Sequence, residues 1–431
     1  MSGIKRRDFI RLAGGLVTAT GLLGFPQLVF GAARRVIVVG GGVGGCTAAK
    51  YLRMMDPAID VTLVTDQKTY IAAFLSNEVV SGDRTLESLT FGYEGLRKYG
   101  IDILIDRVVG IDPTNKLVET AGGKQLRCDA CIVSPGVDYK WEQIEGYDEQ
   151  VSETITHAWD AGPQTLTLRR QIQAMPDGGK VIIVAPPNPF KCPPGPYERA
   201  SLIAMYCKHH KPKAKILILD FKEAFAMQEL YFQGWTQFYG YGTHNSMIEW
   251  ISAGSGGEVE EFDAENMTLI CAVEDFEGDV INIIPAQKAG KIAFDADLVE
   301  DDWCPVDKKT FESSRHSDIY VLGDASEASY MPKSAYAANS QAKVAAAAIV
   351  NRLNGREPEE ATYVNACYGI LSDEFGISAA GVYELNVADN MLESIKGSGG
   401  LSPIDASAKN RRREVRYAHS WLRNIIHDMM M

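Results

Sequence analysis

One glycine-rich loop limits this chain to a small group of folds. An apolar run, Arg35 to Val39, enters Gly40-Gly41-Gly42-Val43-Gly44-Gly45, and Cys46 to Met54 then continues with helical spacing. A strand, a loop of this pattern and a helix form the dinucleotide-binding fingerprint, whose glycines allow a tight turn, close approach of a pyrophosphate and close helix–strand packing. The three fingerprint positions are Gly40, Gly42 and Gly45. We therefore predict an α/β fold with a parallel sheet and a dinucleotide at this loop.

The end of the next predicted strand departs from the usual pattern. Asp60 to Thr65 reads as that strand, and an acidic residue is expected at its end to bind the ribose. Thr65 occupies this position and Asp66 follows it. The ribose contact is therefore either the Thr65 hydroxyl or the Asp66 carboxylate.

Two later segments indicate that the dinucleotide is FAD. Cys131 to Gly136 resembles the strand and turn that follow the meander in flavoproteins with two dinucleotide folds, and Ile319 to Ala325 resembles their late strand ending in Gly323-Asp324. An alanine-rich helix is predicted from Lys333 to Val350, and the positive end of its dipole would stabilise an anionic reduced flavin. The candidate FAD contacts here are Gly136, Gly323, Asp324 and Lys333.

A second strand is followed by a loop that is unsuited to a nucleotide. Lys180 to Ala185 reads as a buried parallel strand, but the loop after it, from Pro186 to Glu198, is rich in proline and has no early glycine. Proline lacks an N–H group and stiffens the backbone, so this loop cannot cradle a second pyrophosphate. It presents Cys192 instead, which indicates a flavoprotein that receives electrons through a thiol rather than from a nicotinamide. Glu198, at the start of a helix predicted over Tyr197 to His209, is either a helix-capping charge or a catalytic base.

Longer segments resemble the flavoprotein subunit of flavocytochrome c sulfide dehydrogenase. The matching stretches are Leu75 to Glu78, Cys192 to Ser201, Trp303 to Asp307, Met331 to Ser334, Tyr363 to Leu371 and Ser420 to Asp428. The resemblance implies a redox disulfide between Cys192 and Cys367 on one side of the flavin. It also implies that hydrosulfide attacks this disulfide, that electrons pass through FAD, and that they reach haem on a separate c-type cytochrome subunit.

One position departs from the family. Ala73 stands where many members carry a cysteine that tethers FAD, so we expect non-covalent FAD. The departure leaves room for two other functions: a sulfide:quinone oxidoreductase, and a redox accessory protein of a sulfur-oxidising system that does not turn over free sulfide.

The order of the motifs predicts a two-dinucleotide-domain flavoprotein of the glutathione-reductase-like type with a C-terminal interface domain. The FAD domain is placed at residues 34–145 and 287–356, a second Rossmann-like domain without a nucleotide loop at 146–286, and the C-terminal domain at 357–431. Trp421, Leu422, Ile425 and Ile426 repeat at helical spacing near the end of the chain. This face is expected to pack on the protein, with binding to a membrane surface as the alternative.

The first 33 residues read as a twin-arginine export signal. Arg6-Arg7 precede an apolar stretch from Leu12 to Phe30, which is interrupted by glycines and Pro26 and is short for a transmembrane anchor. We therefore expect a periplasmic protein. The whole chain has a net charge of −13, and loss of residues 1–33 would leave about −16. This acidity argues against a nucleic-acid partner.

The other cysteines are predicted to be structural. Cys128 and Cys131 are spaced as a Cys-x-x-Cys pair but fall within a strand predicted from Cys128 to Ser134, where residues three apart point to opposite faces. No Cys-x-x-Cys-His sequence and no zinc-type spacing of His and Cys is present. We therefore expect no metal site, and haem only on the partner subunit.

Overall fold

The computed structural model describes residues 34–431, so the predicted export signal lies outside the described residues. The helices of the described part are α1 Val43–Met55, α2 Asn77–Ser81, α3 Glu94–Arg97, α4 Pro163–Ala174, α5 Gly195–His210, α6 Gln228–Tyr239, α7 Lys291–Asp295, α8 Ala335–Leu353 and α9 Ala408–Met430. Its strands, to the end of the first half, are β1 Arg35–Val39, β2 Asp60–Thr65, β3 Tyr70–Ile71, β4 Thr90–Phe91, β5 Ile101–Ile105, β6 Val108–Asp112, β7 Leu117–Thr120, β8 Gln125–Arg127, β9 Ala130–Val133, β10 Val137–Tyr139, β11 Lys180–Ala185 and β12 Lys215–Asp220. The later strands are β13 Ile248–Ile251, β14 Val259–Asp263, β15 Thr268–Cys271, β16 Phe276–Glu277, β17 Val280–Ile283, β18 Gln287–Ala289, β19 Cys304–Pro305, β20 Ile319–Val321, β21 Ser326–Glu327, β22 Thr362–Ser372, β23 Phe375–Asn386, β24 Met391–Ser394 and β25 Gly400–Leu401.

The first sheet is parallel and has the strand order β20-β9-β1-β2-β5. Its central strand β1 is apolar and almost wholly buried, as expected for a parallel strand covered on both faces. Strand β20 comes from late in the chain, so the sheet joins the two separated segments that the sequence assigned to one FAD domain. Helices α1 and α8 pack against each other beside this sheet. A three-stranded antiparallel meander, β6-β7-β8, lies between β5 and β9 along the chain.

The second sheet is also parallel, with the order β13-β12-β11-β17. Its strands lie between residues 180 and 283, within the predicted second domain. The chain enters this region after β10 and leaves it before β18, and these two strands pair with each other in antiparallel fashion. The entry and exit segments therefore form a short ribbon.

The C-terminal region is an antiparallel sheet, β22-β23-β24 with β25 beside β23, and the long helix α9 packs on it. The apolar face of α9 is buried: Leu422, Ile425, Ile426, Met429 and Met430 are each at most 5% exposed. This face packs on the protein, as expected from its spacing. Within residues 34–431, no helix is long and apolar enough to cross a membrane.

The strand predicted from Cys128 to Ser134 is shorter in the structure. Strand β9 begins only at Ala130, so Cys128 lies before it and the alternation of a strand does not apply. Each thiol donates to a backbone carbonyl oxygen, Cys128 to that of Lys116 and Cys131 to that of Ile132. The interaction between the two neighbouring thiols lowers the pKa of Cys128 and raises that of Cys131. Both are buried. Neither lines the cavity described below.

Candidate active site

A cavity of about 1030 Å³ runs from the glycine loop after β1 to the start of α5. Ten of the twelve site residues predicted from sequence line it. Seven are candidate cofactor contacts: Gly40, Gly42, Thr65, Asp66, Gly136, Gly323 and Asp324. The other three are the proposed catalytic residues Cys192, Glu198 and Cys367. Gly45 and Lys333 are not among the lining residues.

The glycine loop has the geometry that a bound pyrophosphate needs. Gly40 has φ +108°, and a Cβ there would lie 2.2 Å from the Ser134 carbonyl oxygen. A Cβ at Gly45 would lie 1.9 Å from the Gly40 carbonyl oxygen, so Gly45 serves close packing rather than contact with the cavity. Gly42 precedes α1 and has open space where a Cβ would be. A phosphate could therefore approach the backbone N–H groups at this helix start.

Asp324 supplies a second observation that fits a bound cofactor. Its Oδ1 atom is buried and has no hydrogen-bond partner within residues 34–431. Burial raises the pKa of this carboxyl group, and the charges of Lys191 and Lys333 oppose the shift. A buried polar atom without a partner is costly, and a ribitol hydroxyl of FAD would satisfy it. Together with the glycine loop and the length of the cavity, this carboxyl group makes the residues present a good fit for FAD.

Lys333 links the turn that contains Asp324 to the loop that contains Cys192. Its Nζ donates hydrogen bonds to the carbonyl oxygens of Asp324, at 2.7 Å, and Ser326, at 3.0 Å, and lies 3.5 Å from the centre of the Trp303 ring. Its own carbonyl oxygen accepts a hydrogen bond from the Cys192 N–H at 2.9 Å. Burial lowers the pKa of Lys333 to about 8. The side chain thus holds two loops in place, and the contact with FAD predicted for it stays a prediction.

Cys192 occupies a constrained position on the loop before α5. Its φ of +56° is in the left-handed region, which is uncommon for a residue with a side chain and is often found at functional sites. Besides the bond to Lys333, its carbonyl oxygen accepts from the Gly195 N–H at 2.8 Å. Cys192 is exposed to the cavity, but the cavity lies deep in the protein, and this burial raises the pKa of its thiol. The charges of Glu198 and Cys367 raise it further, and Lys191 opposes them.

Cys367 reaches the same cavity from β22. Its Sγ accepts a hydrogen bond from Asn365 Nδ2 at 3.6 Å, and burial raises the pKa of its thiol. The structure contains Cys192 and Cys367 as free thiols. The two residues are 175 positions apart in sequence, and the fold brings them to one cavity because β22 packs against α5.

Glu198 is a buried carboxyl group held by two hydrogen bonds. Its Oε1 accepts from the Ile370 N–H at 2.9 Å, and its Oε2 accepts from Asn77 Nδ2 at 2.8 Å. Burial raises the pKa of Glu198 to about 7, the two hydrogen bonds oppose this, and the charge of Glu78 adds to it. A carboxyl group with a pKa near neutrality can take up and release a proton at physiological pH. A helix-capping charge would face solvent, so this environment favours the second of the two roles considered for Glu198.

Several residues of the cavity were not predicted as functional. Asn77, the residue that binds Glu198, is on α2 and also accepts a hydrogen bond from Arg199 Nε at 3.0 Å. Lys191 forms an ion pair with Asp160 at the cavity wall. Asn77 and Arg199 fall in the two stretches that resemble the family, Leu75 to Glu78 and Cys192 to Ser201, so the motifs contained a signal for them.

Protein side chains occupy the site at which a nucleotide would bind to the second sheet. Asp220, at the end of β12, is fully buried, and its Oδ2 accepts from Tyr197 Oη at 2.6 Å and from Trp250 Nε1 at 2.9 Å. Lys222 forms an ion pair with the other oxygen at 2.6 Å and donates to the Pro186 carbonyl oxygen. In a working nucleotide domain, an acid at this position binds a ribose. Here its oxygens are used by the protein.

Comparison with known proteins places the chain in a family. A model described as sulfide dehydrogenase [flavocytochrome c] flavoprotein chain, central, matches residues 165–285, and one described as flavocytochrome c sulphide dehydrogenase, flavin-binding, matches residues 359–430. A pyridine nucleotide-disulphide oxidoreductase model matches residues 34–184. The flavoprotein chain of sulfide dehydrogenase [flavocytochrome c] from Chlorobaculum thiosulfatiphilum is 52% identical over 46 residues, which are 11% of this chain and 96% of that sequence. The chain belongs to the flavocytochrome c sulfide dehydrogenase flavoprotein family.

Two more distant relatives are sulfide:quinone oxidoreductases. The mitochondrial sulfide:quinone oxidoreductase of Dictyostelium discoideum is 24% identical over 341 residues, which cover 74% of this chain and 71% of that protein. The crystal structure of the sulfide:quinone oxidoreductase from Aquifex aeolicus superposes with a TM-score of 0.72 at 17% identity and covers 92% of both chains. This flavocytochrome c sulfide dehydrogenase family member is thus a sulfide-oxidising flavoprotein of the pyridine nucleotide-disulphide oxidoreductase fold. Its flavin-binding region supports FAD as the cofactor.

Proposed function

We propose that this protein oxidises hydrosulfide through a redox disulfide between Cys192 and Cys367 and passes the electrons through FAD to a separate c-type cytochrome. One observation carries the proposal. Two cysteines and a carboxyl group with a pKa near 7 line the same cavity as a dinucleotide loop and the unpartnered Asp324 carboxylate. In this cavity, FAD would supply a two-electron acceptor that returns electrons one at a time.

The chain's own residues would handle the sulfur chemistry. Hydrosulfide attacks one sulfur of the Cys192–Cys367 disulfide, so a persulfide forms on one cysteine and the other leaves as a thiolate. A second hydrosulfide removes the outer sulfur as a two-sulfur anion and leaves two thiolates. The Cys192 and Cys367 thiolates then give up two electrons, for which FAD would be the acceptor, and re-form the disulfide. One proton is released for each two-sulfur anion formed, and Glu198 is placed to accept it.

The choice of cytochrome rather than quinone as the acceptor is supported by the two family models that name flavocytochrome c and by the buried apolar face of α9. The similarity to two sulfide:quinone oxidoreductases favours quinone as the second candidate. We also propose that FAD is non-covalent because Ala73, which lines the cavity, has no sulfur. Export to the periplasm by the first 33 residues is part of the same proposal.

The acceptor can be tested with the purified protein under anaerobic conditions. Sulfide is added, and reduction of a c-type cytochrome or of a water-soluble quinone is followed by absorbance. We expect rapid cytochrome reduction and slow quinone reduction that detergent does not accelerate. Fast, detergent-dependent reduction of quinone without reduction of the cytochrome would identify a sulfide:quinone oxidoreductase. Failure of sulfide to bleach the flavin would contradict the proposal and favour the accessory function.

A further inference from the structure

Arg199 is a buried cation without an ionic partner. It follows Glu198 on α5, lines the cavity and is 1% exposed. Its guanidinium donates to four neutral oxygens: Asn77 Oδ1 at 3.0 Å, His157 O at 2.7 Å, Asn282 Oδ1 at 2.8 Å and Ala158 O at 2.6 Å. A guanidinium has five N–H groups, so one on Nη2 remains available. Within residues 34–431, no carboxylate forms an ion pair with it at 4.0 Å or less.

Burying a charge without an ionic partner costs free energy, so such a group often has a functional role. Burying an unpaired ion removes its hydration, and proteins usually pair or neutralise it. Burial lowers the pKa of Arg199 to about 10, and its interactions with Cys192, Tyr139 and Glu198 oppose the shift, so the group stays protonated at neutral pH. The other cation near Cys192, Lys191, is already paired with Asp160. The wall behind the cysteine therefore has a positive charge available for an anion.

Trp159 adds a second free donor to the same wall. The Arg199 guanidinium lies 5.1 Å from the centre of its ring, and the indole is 6% exposed and lines the cavity. Its Nε1–H has no acceptor in the described part of the chain. A Cβ placed on Gly195 would lie 2.5 Å from Trp159 Cη2 and 3.1 Å from Cys192 Sγ. The indole ring and the thiol thus flank the same point.

We propose that Arg199 and Trp159 form a binding subsite for small anionic sulfur species beside Cys192, namely hydrosulfide before attack and the two-sulfur anion after it. The inference deepens the proposed function and rests on it. A free N–H on a buried cation and an unpartnered indole N–H match an anion that can accept hydrogen bonds from both. Neutral molecules of the same size gain less from this wall, since hydrogen bonds to charged groups are the stronger ones.

The anion subsite can be tested through the reactivity of Cys192, without sulfide turnover. The FAD-loaded protein is reduced anaerobically with dithionite, desalted and treated with iodoacetate, an anion, or with iodoacetamide, its neutral analogue. Peptide mass spectrometry gives the alkylation rate of Cys192 for each reagent. Relative to a free cysteine derivative, we expect the wild type to favour iodoacetate. The ratio should fall about tenfold in Arg199→Gln, the loss expected for one charge-assisted hydrogen bond.

Two variants separate charge from structure. Arg199→Lys disturbs the same four oxygens but keeps the charge, so its ratio should stay near that of the wild type. If Arg199→Gln does not fold, Trp159→Phe keeps an aromatic ring and removes only the N–H, and it should give a smaller fall. An unchanged ratio in Arg199→Gln, or in Trp159→Phe where it is the measurable variant, would overturn the subsite. Failure of sulfide to bleach the wild-type flavin would instead overturn the proposed function, so the two failures are distinguishable.

Discussion

Glu198 shows how the local environment turns an ordinary residue into a candidate base. It is buried, receives only two hydrogen bonds and lies in range of the Glu78 charge, so its pKa rises to about 7. Asn77 holds one of its oxygens and contacts Arg199 with its own carbonyl oxygen. One amide side chain therefore orients the carboxyl group and the buried cation together.

This environment predicts a pH dependence. A carboxyl group acts as a base only when it has lost its proton, and the raised pKa means that the active fraction grows as the pH rises through about 7. We expect the rate of flavin reduction by sulfide to rise across this range and to fall by about 10²-fold or more in Glu198→Gln at pH 8. Stopped-flow absorbance at the flavin band measures the rate.

Hydrogen sulfide also loses a proton close to neutral pH to give hydrosulfide, so the comparison of the two profiles is the control. The glutamine variant keeps the contribution of the substrate and loses that of Glu198. The same slope and the same rate in both proteins would show that Glu198 is not the base.

At the scale of elements, the sequence predicted the regular parts of the fold well. Arg35–Val39, Asp60–Thr65 and Lys180–Ala185 are strands with the expected bounds, because a continuous apolar run between turn signals has few alternatives in an α/β protein. Helix α5 begins at Gly195, two residues before the predicted start, because the prolines on either side fit the first turn of a helix.

The contacts between elements were not predictable in the same way. Asn77 and Arg199 are ordinary polar residues in the sequence, and their importance comes from burial next to each other on α2 and α5. The unpaired state of Arg199 depends on which carbonyl oxygens the fold brings around it. Periodicity and motif spacing contain no information on which oxygens surround this guanidinium.

The proline loop and β12 together predict the response to nicotinamides. The loop lacks the N–H groups that a pyrophosphate needs, and the Asp220 carboxylate is occupied by Tyr197, Trp250 and Lys222. We expect no reduction of the flavin by NADH or NADPH on a catalytic timescale, measured anaerobically by absorbance. Dithionite serves as the positive control for an intact flavin. Rapid bleaching by either nicotinamide would mean that the second sheet still binds a nucleotide.

Helix α9 predicts a stability difference between its two faces. Ile426 is 2% exposed and belongs to the core shared with the FAD domain, whereas Arg423 faces solvent. Ile426→Ala should lower the free energy of unfolding by about 2–5 kcal/mol, and Arg423→Ala should change it by no more than about 0.5 kcal/mol. Urea denaturation followed by circular dichroism compares the variants. Equal losses at both positions would contradict the packing of this face.

At the scale of the whole molecule, one cavity unites three regions that are distant in sequence. The glycine loop comes from the first segment, Cys192 from the second sheet's loop, and Cys367 from the C-terminal sheet. The paired strands β10 and β18 mark where the chain passes between the first two regions. Substrate chemistry and cofactor binding therefore depend on different parts of the chain, and variants of one should spare the other.

The attachment of the cofactor can be checked on the intact protein. Ala73 offers no sulfur, and Cys46 is fully buried, with its Sγ donating to the Gly41 carbonyl oxygen. We expect acid precipitation to release all FAD into the supernatant, where its absorbance measures the amount. Yellow colour that remains with the washed precipitate would reveal a covalent link at another residue.

In the proposed mechanism, electrons from sulfide enter FAD through Cys192 and Cys367. The most direct test is an anaerobic sulfide titration of the flavin absorbance in the wild type, Cys192→Ser and Cys367→Ser, with FAD content measured in each. We expect full bleaching of the wild type and no bleaching of either variant at equal FAD content, because the glycine loop and Asp324 are untouched. Full bleaching of both serine variants at the wild-type rate would contradict the proposed mechanism.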